Sequence, residues 1–338
     1  MPEASACSID HYPAFLVRLP ASLKLETLAR EHKAFQRPRG VRSGANLLRL
    51  ALAWGPGGYS LQQVAAWACE QGIADITDEA LIQRLHGTGD FLQAVSEQLL
   101  EPITQAPCWH GRVLRICDSS SLSQPASKGT DWRLHGVYDL GFGGFSHLEL
   151  TDGHGGEALD RGQPVAGEIR IADRGYANAP AWQRFCNAST GEADYILRMR
   201  WNTVRLVDEA GVVLDLIKLL QDLPVETQIH EFAVSVQSGK HQAPVPIRLV
   251  VRRKTPAAIE AARKQLRQNA SRKQQKLDDR SLVAAEFLIL ATSLSGGEFP
   301  ATDIITVYRL RWQIELAFKR LKSLLHIAKA LTQNKRFI

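Results

Sequence analysis

Through the first hundred residues the apolar positions recur every three to four residues, which is the period of helices with one buried face. Apolar spacing over 45–54 predicts one helix, Ser60 caps a second over 61–71, and after Gly72 a cap at Thr77 or Asp78 opens a third over 79–86. Helix, glycine turn, helix is the rhythm of a helix-turn-helix, in which Arg84 and His86 would face a DNA groove. Plain helical bundles with satisfied polar tips share that rhythm, and both readings stand at this point.

From Val113 the period shortens. Short β-rich runs at 113–117, 134–138, 146–150 and 168–172 are separated by turns rich in Gly, Ser and Asp. Antiparallel-type turns join the first three, and a helix over 179–187 and a strand over 195–198 follow the fourth, so the pattern predicts a mixed α/β layer. Residues 202–282 read as an insertion, with alternating strands at 204–207, 227–236 and 246–252 followed by a charged helix over 257–276. The chain returns with a buried-strand run at 286–292, a turn at Gly296, Gly297 and Pro300, and a last helix. The domains are therefore 1–105, helical; 106–201, the first part of a sheet core; 202–282, an inserted β-rich subdomain; and 283–338, the second part of the core.

That last helix carries the densest chemistry. At about 100° per residue, Tyr308, Arg311, Glu315 and Lys322 fall within about 60° of one another. The apolar stripe Leu310, Ile314, Ala317, Phe318, Leu321 and Leu325 lies about a quarter turn away. Opposite charges at such spacings are common on solvated faces, where each pair contributes a few tenths of a kcal/mol. Here Gln313, Lys319, Arg320 and Ser323 already supply the solvated face, while the four in-line residues border the apolar stripe. A glutamate flanked by cations is a poor general base but a suitable metal ligand beside phosphate-binding groups.

Such a ligand needs carboxylate partners, and Asp118 and Asp173 each stand one residue beyond a β run. Hard divalent cations take carboxylate oxygens, so two aspartates and a glutamate suit two-metal phosphoryl transfer. One ion would activate water or a 3′-hydroxyl, and the other would stabilise the leaving oxygen. A lone aspartate at a strand end is commonly a turn residue; the weight lies in the set. Asp173 precedes Arg174, Gly175 and Tyr176, where the glycine permits close backbone approach and the tyrosine could pack on or bond to DNA.

Charge supports a polyanionic partner through its clustering more than through the net value of +6. Basic groups gather at Lys33, Arg37, Arg39 and Arg42, at Arg198 and Arg200, over 252–276, and on the last helix with Lys329, Lys335 and Arg336 beyond it. No apolar run reaches the ~20 residues of a membrane-spanning helix, and Glu3 and Asp10 come where a signal peptide would be basic and then apolar, so a cytosolic location is expected. The five cysteines (Cys7, Cys69, Cys108, Cys117, Cys186) form no C-x-x-C pair, which argues against a disulfide framework or structural zinc and for reduced thiols that are buried or inert. The stretch 238–240 lacks the glycine and strand of a phosphate loop, and Ser119 to Ser121 form no nucleophile elbow.

With these residues in place the chain resembles bacterial DDE transposases of the IS4 type. The likeness rests on a Y-x2-R-x3-E-x6-K signature at Tyr308, Arg311, Glu315 and Lys322, on the Asp-Arg-Gly-Tyr element that starts at Asp173, and on Asp118. It covers about residues 43–325. The resemblance implies a ribonuclease-H-like mixed sheet core with helices, interrupted by a β-rich insertion and preceded by an α-helical DNA-binding domain. It implies that Asp118, Asp173 and Glu315 bind two Mg²⁺ ions, with Mn²⁺ as a substitute, and that Tyr308, Arg311 and Lys322 hold phosphates; Arg174, Tyr176 and Arg198 are further candidate DNA contacts from their own setting in the sequence. Phe287 falls where relatives stack an aromatic ring on a flipped base, and in its Leu-Ile-Leu context it equally suits a core position.

The implied partners are double-stranded DNA, as terminal inverted repeats and as target, and a second copy of the chain in a synaptic homodimer. The implied location is the bacterial cytoplasm, at the nucleoid. Relatives of this type continue through further apolar helices after the glutamate helix, whereas residues 326–335 lack that apolar density. The expectation is an intact catalytic set with an incomplete C-terminal subdomain, through a frameshift or truncation. The rival reading is a DNA-binding but catalytically inactive transposase remnant that acts as an inhibitor. A ribonuclease-H-like nuclease without strand transfer is a third, which the insertion and the helical front speak against.

Overall fold

A computed structural model describes residues 12, 16–17, 19–34, 40–55, 57–100, 109–123, 127, 129–188, 192–224, 229–237 and 243–324. Cys7, Arg37, Arg39, Cys108, the stretch 238–240, Leu325, Lys329, Lys335 and Arg336 lie outside these residues.

The front of the chain forms helices α1 (Leu25–Glu31), α2 (Gly44–Trp54), α3 (Leu61–Glu70), α4 (Asp78–His86) and α5 (Gly89–Leu100). Ser43, Ser60 and Thr77 cap α2, α3 and α4 by accepting from backbone N–H groups, and Ser60 forms a full capping box with Gln63. Each cap is worth about 1 kcal/mol. The helices share a core of their own around Leu47, Leu50, Val64, Leu81, Leu85 and Phe91. Arg84 and His86 sit in the last turn of α4, where basic groups complement the carbonyl end of the helix. A helix-turn-helix reads bases from the N-terminal part of its second helix, so these two residues lie at the far end from that position.

Nine strands then join in one sheet: β1 (Val113–Leu122), β2 (Trp132–Asp139), β3 (Gly144–Asp152), β4 (Glu168–Ala172), β5 (Asp194–Arg198), β6 (Arg205–Val207), β7 (Ile229–Gln237), β8 (Val245–Arg253) and β9 (Phe287–Thr292). Their order is β3-β2-β1-β4-β5-β9-β8-β7-β6. The first three are antiparallel, β1, β4 and β5 are parallel, and every later pairing is antiparallel. This mixed α/β arrangement is compatible with a ribonuclease-H-like core. The strands of the 202–282 segment do not build a sheet of their own, because β9 pairs with β5 on one side and with β8 on the other and so carries the core sheet into the insertion.

Both faces of the sheet are covered. Ile116 and Cys117, Ile196 and Leu197, and Ile289 and Leu290 are buried successive pairs pointing to opposite sides, the near-continuous apolar pattern of strands packed on both faces. One face packs on α6 (Ala179–Ala188) and α7 (Leu216–Gln221), with Trp182 and Phe185 fully buried. The other packs on α10 (Ala301–Tyr308) and α11 (Gln313–Leu324) through Ile304, Ile305, Ile314 and Phe318. Helices α8 (Pro256–Arg272) and α9 (Asp279–Ala284) link β8 to β9. Among the described residues no helix is long and apolar enough to cross a membrane, and Cys69, Cys117 and Cys186 are free thiols, of which Cys69 is exposed.

Two local expectations need correcting. Asp118 lies within β1, because pairing with β2 continues to Leu122 opposite Trp132 after the pairing with β4 ends at Ile116 opposite Ile171. The segment from Tyr308 to Lys322 is not one regular helix either. A 3₁₀ turn, Arg309–Trp312, separates α10 from α11, and its tighter winding ends the common register of Tyr308 with Glu315.

Beneath β1 and β4 the register sets Arg115 directly opposite Arg170, a like-charged pair that is unfavourable by itself. Glu168, fully buried, joins them: one oxygen accepts from Arg115 at 3.1 Å and the other from Arg170 at 2.6 Å. Asp139 takes a further Arg115 donor at 3.2 Å, and Arg170 also donates to the carbonyls of Leu159, Arg161 and Gly162. Removing the central carboxylate leaves two buried guanidiniums facing each other. Glu168→Ala is therefore expected to cost about 3–5 kcal/mol in urea unfolding, whereas Arg184→Ala, which removes an exposed pair with Asp160, leaves the midpoint almost unmoved. Equal effects of the two substitutions would refute this account.

Candidate active site

The parallel ladder fixes the geometry. With Ile116 opposite Ile171 and Ala172 opposite Leu197, the same registers continued set Asp118, Asp173 and Arg198 level across β1, β4 and β5. Strand alternation turns all three toward the face on which α10 and α11 pack.

From that helical layer Arg311 reaches down. Its guanidinium lies 3.5 Å from the Asp118 carboxylate, 193 positions away, and also contacts Glu315 one turn along. Arg311 and Asp118 are mostly buried, while the Glu315 side chain is more than half exposed. Lys322 donates from Nζ to the Ser121 carbonyl at 2.8 Å, tying α11 to β1. Asp118, Ser119, Ser120, Glu315, Phe318, Lys319 and Lys322 line an open cavity of about 450 Å³.

The electrostatics are strained toward accepting a cation. Burial, and the neighbouring Asp173 charge, push the Asp118 carboxyl up to about 6 against the pull of the Ser119 N–H and Arg311. Asp173 accepts from the Gly175 N–H at 2.6 Å and so caps the 3₁₀ turn Arg174–Tyr176. Arg174 is exposed and Arg198 half-buried, and among the described residues neither has a carboxylate in ion-pair contact. Burial pushes up the Tyr308 hydroxyl, which stays protonated beside Arg311 and Arg198.

The structure buries three of the aromatic candidates. Tyr176 is 1% exposed and its backbone carbonyl accepts from the Trp182 indole, so its ring faces protein. Phe287 is in the same core with the Arg253 guanidinium 5.3 Å above its ring. Tyr308 is 8% exposed.

Glu157, on the turn between β3 and β4, belongs to this neighbourhood and has no signal in the sequence beyond following Gly155 and Gly156. Its carboxylate accepts from the Ser119 hydroxyl at 2.6 Å and pairs with Arg133 at 3.4 Å. It also rests against Gly175, where any Cβ would collide with it and crowd Asp173. The glycine after Asp173-Arg174 thus admits a third carboxylate beside the aspartate pair.

Among the described residues no three acidic, histidine or cysteine side chains converge as a ready-made cage. The donor chemistry nonetheless fits a divalent ion. Asp118 and Asp173 present hard oxygen donors whose mutual repulsion calls for a positive charge between them, and a guanidinium now supplies positive charge between Asp118 and Glu315.

Comparison with known proteins agrees with this chemistry. Residues 109–337 match the family described as Transposase DDE domain. The chain is 38% identical over 323 residues to the putative transposase InsL for insertion sequence element IS186A of Escherichia coli (strain K12), covering 95% of this chain and 87% of the relative. It is 38% identical over 324 residues to the transposase for insertion sequence element IS421 of Escherichia coli, with the same coverage. A more distant likeness, 27% over 212 residues, covers 56% of this chain and 43% of the transposase for insertion sequence element IS231F of Bacillus thuringiensis subsp. israelensis. No solved structure gives a significant match. A mixed sheet with level aspartates, a glutamate helix joined to Asp118 through Arg311, and relatives matched along almost the whole chain lead to one conclusion: the chain belongs to the IS4-type family of DDE transposases.

Proposed function

We propose that this transposase binds the terminal inverted repeats of its element, hydrolyses the phosphodiester at each end with two Mg²⁺ ions, and joins the freed 3′ ends to target DNA at the same carboxylates. Asp118, Asp173 and Glu315 are the proposed ligands, and Mn²⁺ is the expected substitute. The observation that carries this reading is the contact of Arg311 with both Asp118 and Glu315, which joins residues far apart in sequence into one site. Family membership brings divalent-metal chemistry, in which bound ions activate the attacking oxygen and stabilise the leaving one.

The chain's own groups do the positioning. Arg311 exchanges its carboxylate contacts for phosphate oxygens, which its planar fork can hold bidentately. The protonated Tyr308 hydroxyl donates beside it, Lys322 neutralises a phosphate along α11, and Arg174 and Arg198 flank Asp173. Glu157 keeps Ser119, and with it the strand at Asp118, in place. Tyr176 and Phe287 support the site from the core. The helical segment 1–105 is the proposed end-recognition domain, and a homodimer is the proposed working form because two ends must be held together. The expected place of work is the cytoplasm, at the nucleoid.

The test is cleavage and joining of a duplex bearing the element's own terminal repeats. The wild-type chain is expected to cut and join with Mg²⁺ and to stop with a chelator, while Glu315→Gln keeps DNA binding and loses more than about a hundredfold in cleavage. Binding without Mg²⁺-dependent cleavage by the wild-type chain would overturn the proposal.

The Asp118 environment gives a second expectation, in stability. Its folded pKa, about 6, lies above the ordinary 3.8, so the ionised form is disfavoured by folding. That penalty is present above about pH 6 and disappears as pH falls toward 4, where the proton is bound in the folded chain. Asp118→Asn is accordingly expected to stabilise the metal-free protein at pH 8 by an amount on the order of 1–2 kcal/mol, with the gain shrinking toward pH 4. Urea midpoints across pH measure this, and a variant less stable than wild type at pH 8 contradicts it.

A further inference from the structure

Helix α8 leaves the sheet at the end of β8 with no buried residue along Pro256–Arg272. Its apolar stripe of Ile259, Ala262, Leu266 and Ala270 is only half-buried, so most of its surface faces solvent. That surface is cationic: Arg263, Lys264, Arg267 and Arg272, with Lys273 and Lys276 just beyond, stand against Glu260 as the single acid from 256 to 276. Arg263 and Arg253 share the Glu286 carboxylate, which clamps the helix to the start of β9. Among the described residues the other five cations have no carboxylate in ion-pair contact.

The fold connects this helix to the carboxylates. Both β5 and β8 are antiparallel to β9, so β8 runs in the direction of β4 and β5 and ends on the edge that holds Asp173 and Arg198. Lys254 follows β8 there, half-buried, with its ammonium held on the Ala285 carbonyl at 2.5 Å. Burial, then the Arg198 and Arg174 charges, push its pKa down to about 8. Arg174, Arg198 and Lys254 thus form a shelf of like charges with no carboxylate in ion-pair contact among the described residues, and a cavity of about 430 Å³ lined by Arg253, Lys254, Arg263 and Arg267 continues it to α8.

We infer that Lys254 and the exposed face of α8 form a second binding site for the phosphate backbone of duplex DNA, along which the duplex runs outward from the carboxylates. This rests on the proposed placement of DNA over Asp118 and Asp173. Seventeen helical residues span about 25 Å, the length of about seven base pairs. Packed face to face, a second copy of the chain would oppose this helix with the same positive charge, so charge complementarity selects a polyanion. Lysine and arginine on phosphates position DNA without reading its sequence.

The test measures binding of the full chain by anisotropy, on a labelled duplex with the terminal repeats and on an unrelated duplex of equal length, between about 50 and 200 mM salt. The triple variant Lys264→Gln/Arg267→Gln/Lys273→Gln is expected to lose about tenfold or more in affinity for both duplexes. The slope of log affinity against log salt should become shallower by about 2–3, with an unchanged melting temperature because the side chains are exposed. Lys264→Arg/Lys273→Arg, which preserves charge, is expected to keep the wild-type slope. If the wild type binds and the triple variant matches it in affinity and slope, the inference fails while the site reading stands. A loss confined to the repeat duplex also overturns it, in favour of base reading. Failure of the wild type to bind either duplex would overturn the site reading and this inference together.

Discussion

A slip of one residue in the parallel ladder of β1, β4 and β5 would turn Asp118, Asp173 and Arg198 to the wrong face of the sheet, away from α10 and α11. The site therefore depends on that register before it depends on any contact within it. Two features hold the register. Alternating residues such as Ile116 and Cys117 are buried on opposite faces, so a slip would mismatch two cores at once. At the other end of the same strands, Arg115 opposite Arg170 is tolerable only while Glu168 bridges them. A buried salt bridge is weak support for stability in itself, but a slipped ladder would separate these charges without partners.

The register that aligns the aspartates also makes the metal-free site electrostatically costly. Carboxylates held level and largely out of water raise the Asp118 pKa, and the chain meets the cost with a cation already present, Arg311, shared between Asp118 and Glu315. An arginine suits this position because its fork can hold two carboxylates and later a phosphate without changing protonation. Glu157 adds a further acid against Gly175, offset by the Ser119 hydroxyl and Arg133.

Much of the fold was legible because strands buried on both faces and capped helices leave strong local patterns: 168–172 coincides with β4, and Ser60 with the start of α3. What was not legible depends on partners distant in the chain. The extension of β1 through Asp118 is decided by β2, and the fusion of the inserted strands with the core sheet is decided by the two edges of β9. The break at Arg309–Trp312 leaves the apolar stripe of α11 intact, since Ile314, Ala317 and Phe318 are buried as their spacing predicts, so periodicity alone could not reveal it. In the candidate site, Asp118, Asp173 and Glu315 stand out in the sequence by type and spacing, whereas Glu157 reaches the same neighbourhood through a turn whose path local sequence does not specify. Tyr176 and Phe287 look alike in sequence whether they face DNA or the core, and burial distinguishes the two.

The edge of the sheet is also polarised along its length. Reading across the strands, the carboxylates of β1 and β4 give way to Arg198 on β5, then to Lys254 beyond β8 and to the exposed cations of α8. A polyanion approaching such an edge is repelled where the carboxylates of Asp118, Asp173 and Glu315 are only partly offset by Arg311, and attracted at the far end. Divalent ions at the aspartates would remove the repulsion without altering the attraction. On the proposed DNA path, the cationic end would retain the duplex while close approach of a phosphodiester to the carboxylates waits until positive charge is in place. That ordering follows from sheet topology, because it is the antiparallel β9 between β5 and β8 that puts both strand ends on one edge.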